Sequence, residues 1–190
     1  MGEKNFENLA EGFYHELLKI ESYREKFKLI SDLQMQVEGW FKTEFLYYLK
    51  GKKMDIGVEN RECKVSEEIR RKIDIRIPLK NYNCYVELKH IILGEQKGSR
   101  YNLKFYFYEK TYISNDIEKL QNIKSPDEAY ALTFVSLNEY KNEKKLKEEL
   151  KEDLQKILKE LKDKEKISSS EPICFFDQNS NFGYFLIKVK

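Results

Sequence analysis

The chain has 190 residues, 41% of them hydrophobic and 36% charged, which is typical of a folded domain and excludes a disordered chain. Its 35 basic and 33 acidic residues leave a net charge of +2, so overall charge neither requires nor excludes a nucleic-acid partner. Without an apolar run of about 20 residues or a signal-peptide core near the N-terminus, we expect a cytoplasmic protein with no membrane partner. Three scattered cysteines and two histidines favour neither a disulfide framework nor a zinc site.

The first 90 residues predict two helices and then strands. The segment "FENLAEGFYHELLKI" has apolar residues at helical spacing, and "SDLQMQVEGWFKTEFLYYLKG" predicts a helix of about five turns from Ser31 to Gly51. Residues 54–60 are predicted as a strand, and 61–71 as a turn or an exposed extension of the strands. From 72 to 90, "KIDIRIPLKNYNCYVELKH" alternates apolar and polar residues twice, which predicts a hairpin with its loop at 78–83.

The second half continues the mixed pattern. "NLKFYFYE" alternates like a strand, "NDIEKLQNI" predicts a short helix, and "AYALTFVSL" predicts a strand buried on both faces. Residues 138–166 predict a long charged helix lying on the sheet, with a coiled-coil partner surface as the alternative, and "ICFFDQNSNFGYFLIKVK" predicts a hairpin that turns at "DQNSN". We therefore expect one α/β or α+β domain over 1–190, with a central mixed sheet flanked by helices and 138–190 as an addition.

The hairpin brings charged residues together on one face. If Ile77 pairs with Cys84, counting back along both strands sets Asp74 directly opposite Glu87. Like charges at such positions are destabilising, whereas a divalent cation accepts two carboxylates in one coordination sphere. Lys89 follows on the same face. The alternative is a solvated strand face held by cross-strand salt bridges, and a one-residue bulge would change the pairing.

Two further residues bear on this face. Glu44 lies on or beside the apolar stripe of the second predicted helix, from which it could reach the hairpin, and Glu38 takes its place if the helix is rotated. His90 follows Lys89 in the strand and therefore points to the opposite side, where we expect a hydrogen-bonded core residue rather than a base.

The segments "EGWFKTEF", "RRKIDIRI" and "CYVELKH" resemble the PD-(D/E)XK nuclease superfamily, which has the restriction endonuclease-like fold. In that superfamily a helix supplies Glu, the second core strand Asp, and the third strand Glu-x-Lys, before another helix and a buried strand. The matching positions in this chain are Glu44, Asp74, Glu87 and Lys89. The resemblance covers residues 31 to about 137; Ile73 stands where the motif's name has proline. A second "ELK", within "KELKDK" at 159–164, lies in a predicted helix and is discounted.

The resemblance implies Mg²⁺-dependent hydrolysis of DNA phosphodiester bonds, with DNA favoured over RNA and Mn²⁺ as a substitute metal. Asp74, Glu87 and the backbone carbonyl of Leu88 would hold the metal, and Lys89 would orient or deprotonate water and stabilise developing charge. Glu44 would bind a second metal or hold a metal-bound water. By analogy with proteins of this fold, a homodimer is expected.

Positive residues near the site are candidates for phosphate contacts, with ordinary solvated charge as the alternative. They are Arg70, Arg71, Lys97, Arg100 and Lys104. The leading hypothesis is a nuclease of restriction, defence, repair, recombination or transposition type. The alternatives are a non-catalytic nucleic-acid-binding or assembly module that kept the nuclease fold, and a structural domain whose charged hairpin is only a surface.

Overall fold

The fold is given by a computed structural model of the chain. It describes residues 5–32, 37–54, 56, 61–63, 72–94, 103–108, 112–138, 143–169, 171, 173–176 and 182–190. The helices in these ranges are α1 (Phe6–Lys19), α2 (Glu21–Asp32), α3 (Glu38–Gly51), α4 (Leu103–Tyr108), α5 (Ile113–Leu120) and α6 (Glu143–Asp163). None of the helices in the described ranges is long and apolar enough to cross a membrane.

One mixed sheet forms the centre of the molecule. Its strands are β1 (Arg61–Cys63), β2 (Ile73–Pro78), β3 (Asn83–Gly94), β4 (Glu128–Asn138), β5 (Ile173–Phe176) and β6 (Phe182–Lys188). They lie in the order β1-β2-β3-β4-β6-β5. Neighbouring strands are antiparallel except β3 and β4, which run parallel. The predicted mixed sheet flanked by helices is therefore confirmed.

The sheet separates two hydrophobic clusters. One joins α1, α2 and α3 to one face, and the other joins α4, α5 and α6 to the opposite face. Every residue from Ala129 to Leu137 of β4 is buried, as its continuous apolar sequence predicts for a strand covered on both sides. Four leucines of α6 pack into the second cluster, Leu150, Leu154, Leu158 and Leu161, so this charged helix lies on the sheet as predicted.

Three predicted elements differ from the structure. The helix expected from Ser31 begins at Glu38, and Glu21–Asp32 forms a separate helix. "NLKFYFYE" contains the helix α4 rather than a strand, because Leu103 and Phe107 are buried at a spacing of four residues.

The predicted strand at 54–60 is also displaced. Met54 and Ile56 lie outside any strand, 55 and 57–60 are outside the described residues, and β1 begins at Arg61. At the other end of the chain, β5 and β6 form the predicted antiparallel hairpin. Its predicted turn, 177–181, is outside the described residues.

Candidate active site

The hairpin adopts the predicted register. Ile77 pairs with Cys84 and Ile75 pairs with Val86, which brings Asp74 to the next position along β2. There the paired register ends, and the Leu88 N–H donates a hydrogen bond to Asp74 Oδ2 at 3.0 Å. The Glu87 side chain is close enough to the Asp74 carboxyl for each to shift the pKa of the other. The two carboxyls are therefore neighbours at the point where β2 and β3 separate.

Each of these two carboxyls also has an ammonium partner from a helix. Lys42 Nζ on α3 lies 2.9 Å from Asp74 Oδ1, and Lys119 Nζ on α5 lies 2.7 Å from Glu87 Oε1. Glu87 is only 3% exposed although it is charged in water. Burying an unpaired carboxylate to this extent would cost free energy of folding, and the Lys119 ammonium offsets part of that desolvation cost.

Lys89 lies between two further carboxylates. Its Nζ is 3.3 Å from Glu38 Oε2 on α3 and 3.5 Å from Asp116 Oδ2 on α5. Asp116 is 4% exposed, and its other oxygen, Oδ1, lies 3.1 Å from Lys119 Nζ. The seven side chains form a continuous network that we name the charged cluster: Glu38, Lys42, Asp74, Glu87, Lys89, Asp116 and Lys119.

The cluster shifts the pKa values of its two central carboxyls in opposite directions. Burial, followed by the negative charges of Asp74 and Asp116, raises the pKa of Glu87 to about 8, against the lowering effect of Lys119. Burial also acts to raise the pKa of Asp74, but the hydrogen bond from Leu88 and the Lys42 ammonium outweigh it and hold that pKa below its ordinary value. At neutral pH Glu87 therefore carries a proton beside an ionised Asp74.

Lys89 remains a cation. Burial acts to lower the pKa of its ammonium, but the carboxylates of Asp116 and Glu38 outweigh this effect, and the pKa rises above its ordinary value. Burial raises the pKa of Glu38 in turn, while Lys89 lowers it. Glu38 and Lys89 thus each shift the pKa of the other toward its charged form.

Glu44 does not join the charged cluster, which corrects the expectation from the sequence. Its Oε2 accepts a hydrogen bond from Tyr23 Oη at 2.8 Å, and it lines a cavity formed by α1, α2 and α3 that none of the cluster residues lines. At about 100° per residue, Glu38 lies about 20° from the centre of the fully buried face of α3, and Glu44 about 100° from it. Glu38, the substitute carboxylate, is the one that contacts Lys89.

Three members of the cluster were not predicted from the sequence. Lys42 is one helical turn after Glu38, and Asp116 and Lys119 are an i, i+3 pair in the helix "NDIEKLQNI". Such pairs are common on solvated helix faces, so spacing alone does not mark them. Only the burial of Asp116 and its contact with Lys89 distinguish this pair from surface charges.

The predicted phosphate contacts are mostly beyond the described residues. Arg70, Arg71, Lys97 and Arg100 lie outside the described ranges, so their positions relative to the cluster stay predictions. Lys104 is described and is exposed on α4.

His90 lies in the core, as predicted. It is 2% exposed, its Nε2 is 2.9 Å from Ser136 Oγ, and burial lowers its pKa to about 4. On β4, Thr133 is paired in register with Lys89. Among the described side chains, the Thr133 hydroxyl is the one buried polar group with no hydrogen-bond partner.

No protein-family model, curated protein or solved structure matches this chain. The likeness to the PD-(D/E)XK superfamily therefore depends on the motif residues and on the order of the elements that carry them.

Proposed function

We propose that the chain is a metal-dependent nuclease that hydrolyses DNA phosphodiester bonds at the charged cluster. The observation that carries the proposal is the pair Asp74 and Glu87, contributed by adjacent antiparallel strands, with the Lys89 ammonium two residues farther along β3. Folding alone does not require this arrangement, because the negative charge of Asp74 raises the pKa of the buried Glu87 beside it and the pairing costs stability.

The order of the supporting elements agrees with the proposal. Helix α3 supplies Glu38, β2 supplies Asp74, and β3 supplies Glu87 and Lys89, before α5 and the buried strand β4. The resemblance to the PD-(D/E)XK superfamily implies this same order of helix, strands, helix and strand. Glu38 replaces Glu44 as the helix carboxylate in the proposed site.

The donor atoms are of the type that Mg²⁺ accepts. Carboxylate and carbonyl oxygens are its usual protein ligands, and Asp74 and Glu87 offer two adjacent carboxyls. The Leu88 N–H points toward β2, where it donates a hydrogen bond to Asp74. Because the N–H and C=O of one strand residue point to the same side, the Leu88 carbonyl also faces β2. Within the described residues, no three His, Cys, Asp or Glu side chains are grouped as a metal site. The proposed site therefore has only two side-chain ligands, Asp74 and Glu87, and the Leu88 carbonyl with water or phosphate oxygens would complete the coordination of the ion.

A divalent ion supplies Lewis acidity and lowers the pKa of water that it binds. The residues of the chain supply position and charge. The Leu88 N–H and Lys42 fix both oxygens of Asp74, and Glu87 must give up its proton to serve as a second anionic ligand.

Lys89 provides positive charge rather than a base. Because Asp116 and Glu38 raise the pKa of its ammonium, it stays protonated at neutral pH and can donate hydrogen bonds to a phosphate oxygen. The two carboxylates also hold the ammonium between α3 and α5, so its position is set before any substrate arrives.

A non-catalytic module that kept the nuclease fold is the second candidate. One observation favours it: Asp74 and Glu87 each have a lysine partner, so the cluster is compensated without a metal ion. A protein that had lost hydrolysis could keep such a network for stability alone.

Cleavage assays separate the two candidates. We would incubate the full chain with supercoiled plasmid, linear duplex, single-stranded and branched DNA, and RNA, in Mg²⁺, Mn²⁺ or EDTA. We expect cleavage of DNA with either metal and none in EDTA, and a loss of at least about 100-fold in Lys89→Met. Lys124→Met removes the same charge from an exposed residue and is expected to cut normally. Cleavage in EDTA would refute the metal mechanism, and DNA binding without cleavage of any substrate would favour the module.

A further inference from the structure

A cavity of about 290 Å³ lies between α1, the start of α2 and α3, separate from the charged cluster. Phe13 and Leu17 of α1 are apolar residues that line it, and its lining also includes three tyrosines and two glutamates: Tyr23, Tyr47, Tyr48, Glu16 and Glu44. Its volume is near the lower end of the range for small-molecule sites, which begins at about 300 Å³.

Glu44 contributes a carboxyl group to this cavity, and its described hydrogen-bond partner is a hydroxyl rather than a cation. Its carboxylate accepts the Tyr23 hydroxyl hydrogen bond, and among the described side chains no lysine, arginine or histidine lies within ion-pair distance of it. Burial and this hydrogen bond raise the pKa of Tyr23, so the hydroxyl remains a donor. A half-buried carboxylate held by one neutral donor keeps the capacity to accept a cation's hydrogen bonds.

Two of the three tyrosine rings of the cavity, Tyr23 and Tyr48, already contact ammonium groups of the protein. Lys52 Nζ lies 4.8 Å from the ring centroid of Tyr48 and 3.8 Å from Glu16 Oε1. Lys26 Nζ lies 4.7 Å from the ring centroid of Tyr23. A cation over an aromatic face within about 6 Å of its centroid is attracted by the ring quadrupole. Lys52 therefore compensates Glu16, while none of the described lysine, arginine or histidine side chains forms an ion pair with Glu44 at the same cavity.

Tyr47 lines the cavity and is itself largely exposed. Its side chain is 77% exposed, although a large aromatic residue gains stability when it is covered. An occupant of the cavity would cover the Tyr47 ring and contact Glu44 at the same time.

We propose that this cavity binds a primary alkylammonium group. The ammonium donates hydrogen bonds to Glu44 beside the rings of Tyr23 and Tyr47, and the alkyl chain lies on Phe13 and Leu17. A free alkylamine and a lysine side chain of a partner peptide share this chemistry. The proposal does not depend on nuclease activity, because no residue of the charged cluster lines the cavity.

Calorimetric titration with hexylammonium chloride tests the proposal. Hexan-1-ol has the same chain without the charge, and a peptide with one lysine represents the second source. Glu44→Gln keeps the shape of the side chain and removes its charge, and Tyr47→Ala changes an exposed residue that the fold does not need. Glu152→Gln, on the exposed face of α6, is the matched control.

We expect saturable binding of hexylammonium that weakens at least about tenfold in Glu44→Gln, weakens in Tyr47→Ala and is unchanged in Glu152→Gln. Hexan-1-ol is expected to bind at least about tenfold more weakly than hexylammonium. The tighter of hexylammonium and the lysine peptide identifies the source of the group. Equal binding of the alcohol, full binding by Glu44→Gln, or no binding of either ammonium ligand would overturn the proposal.

Discussion

Replacing Glu87 with glutamine isolates the effect of the proton that this buried carboxyl holds at neutral pH. The pKa of Glu87 is raised from 4.5 to about 8, by burial and then by Asp74 and Asp116. Between these two values the folded state binds a proton that the unfolded chain has released, so the free energy of unfolding falls as pH rises. The limiting slope is about 1.4 kcal/mol per pH unit, or up to about 3 kcal/mol between pH 5.5 and 7.5.

In Glu87→Gln the side chain is neutral at every pH and still offers a hydrogen-bonding group beside Asp74. The free energy of unfolding of this variant therefore does not fall with pH through the titration of residue 87. We expect its stability relative to the wild type to increase as pH rises from 5.5 to 8 and to level off above pH 8. Urea denaturation in EDTA, followed by circular dichroism at half-unit pH intervals, measures the difference. Parallel pH profiles for the two proteins would refute the assignment of a raised pKa to Glu87.

Three other substitutions test separate parts of the structure. Lys119→Met removes the ammonium that competes for Glu87, so Mn²⁺ should bind about tenfold more tightly by calorimetry. Thr133→Val removes an unsatisfied buried hydroxyl and should raise the free energy of unfolding by about 1 kcal/mol in urea. Gly183→Ala should cost about 3 kcal/mol in the same assay, because its Cβ would overlap the ring of Phe176 and lie 2.8 Å from the Phe175 carbonyl oxygen.

Each of these predictions has its own control or contrary result. Weaker Mn²⁺ binding by Lys119→Met would mean that Lys119 orients Glu87 instead of competing for it. A loss of stability in Thr133→Val would mean that its hydroxyl has a partner. Gly39→Ala is the control for Gly183→Ala, since its Cβ meets no atom within 4 Å and alanine in a helix gains about 0.5–1 kcal/mol over glycine.

The pairing of Ile75 with Val86 and of Ile77 with Cys84 could be predicted because the apolar side chains of the hairpin alternate strictly. The loop of the hairpin is two residues shorter than predicted, since Pro78 and Asn83 are paired. A shift of one residue would turn Ile75 and Ile77 out of the core, so burial fixes the register. The positions of Asp74, Glu87 and Lys89 on one face of the hairpin follow from that register and do not depend on the rest of the fold.

The helix carboxylate could not be chosen from the sequence in the same way. The apolar stripe predicted for the helix includes Trp40 and Tyr48, which are only half-buried and lie toward Glu44. The fully buried residues Phe41, Phe45 and Leu49 centre the face elsewhere, near Glu38. The degree of burial of each aromatic depends on α1 and α2, and the sequence of the helix does not contain that information.

The contribution of α5 was also beyond the reach of a local pattern. Whether the pair Asp116 and Lys119 faces water or Lys89 is decided by the crossing from β3 to β4, which packs α5 against the parallel strands. The alternation in "NLKFYFYE" was misleading for a related reason. The same residues can form a short helix in which Leu103 and Phe107, four residues apart, share the buried face, and tertiary packing selects this helix.

Uptake of a divalent cation by the carboxyls of Asp74 and Glu87 is measured most directly by calorimetric titration of Mn²⁺ into the metal-free protein at pH 7.5. We expect saturable binding with proton release from Glu87, weakened at least about tenfold in Asp74→Asn and unchanged in Asp163→Asn, an exposed aspartate at the end of α6. Absence of binding by the wild type, or equal binding by Asp74→Asn, would contradict the proposed metal site.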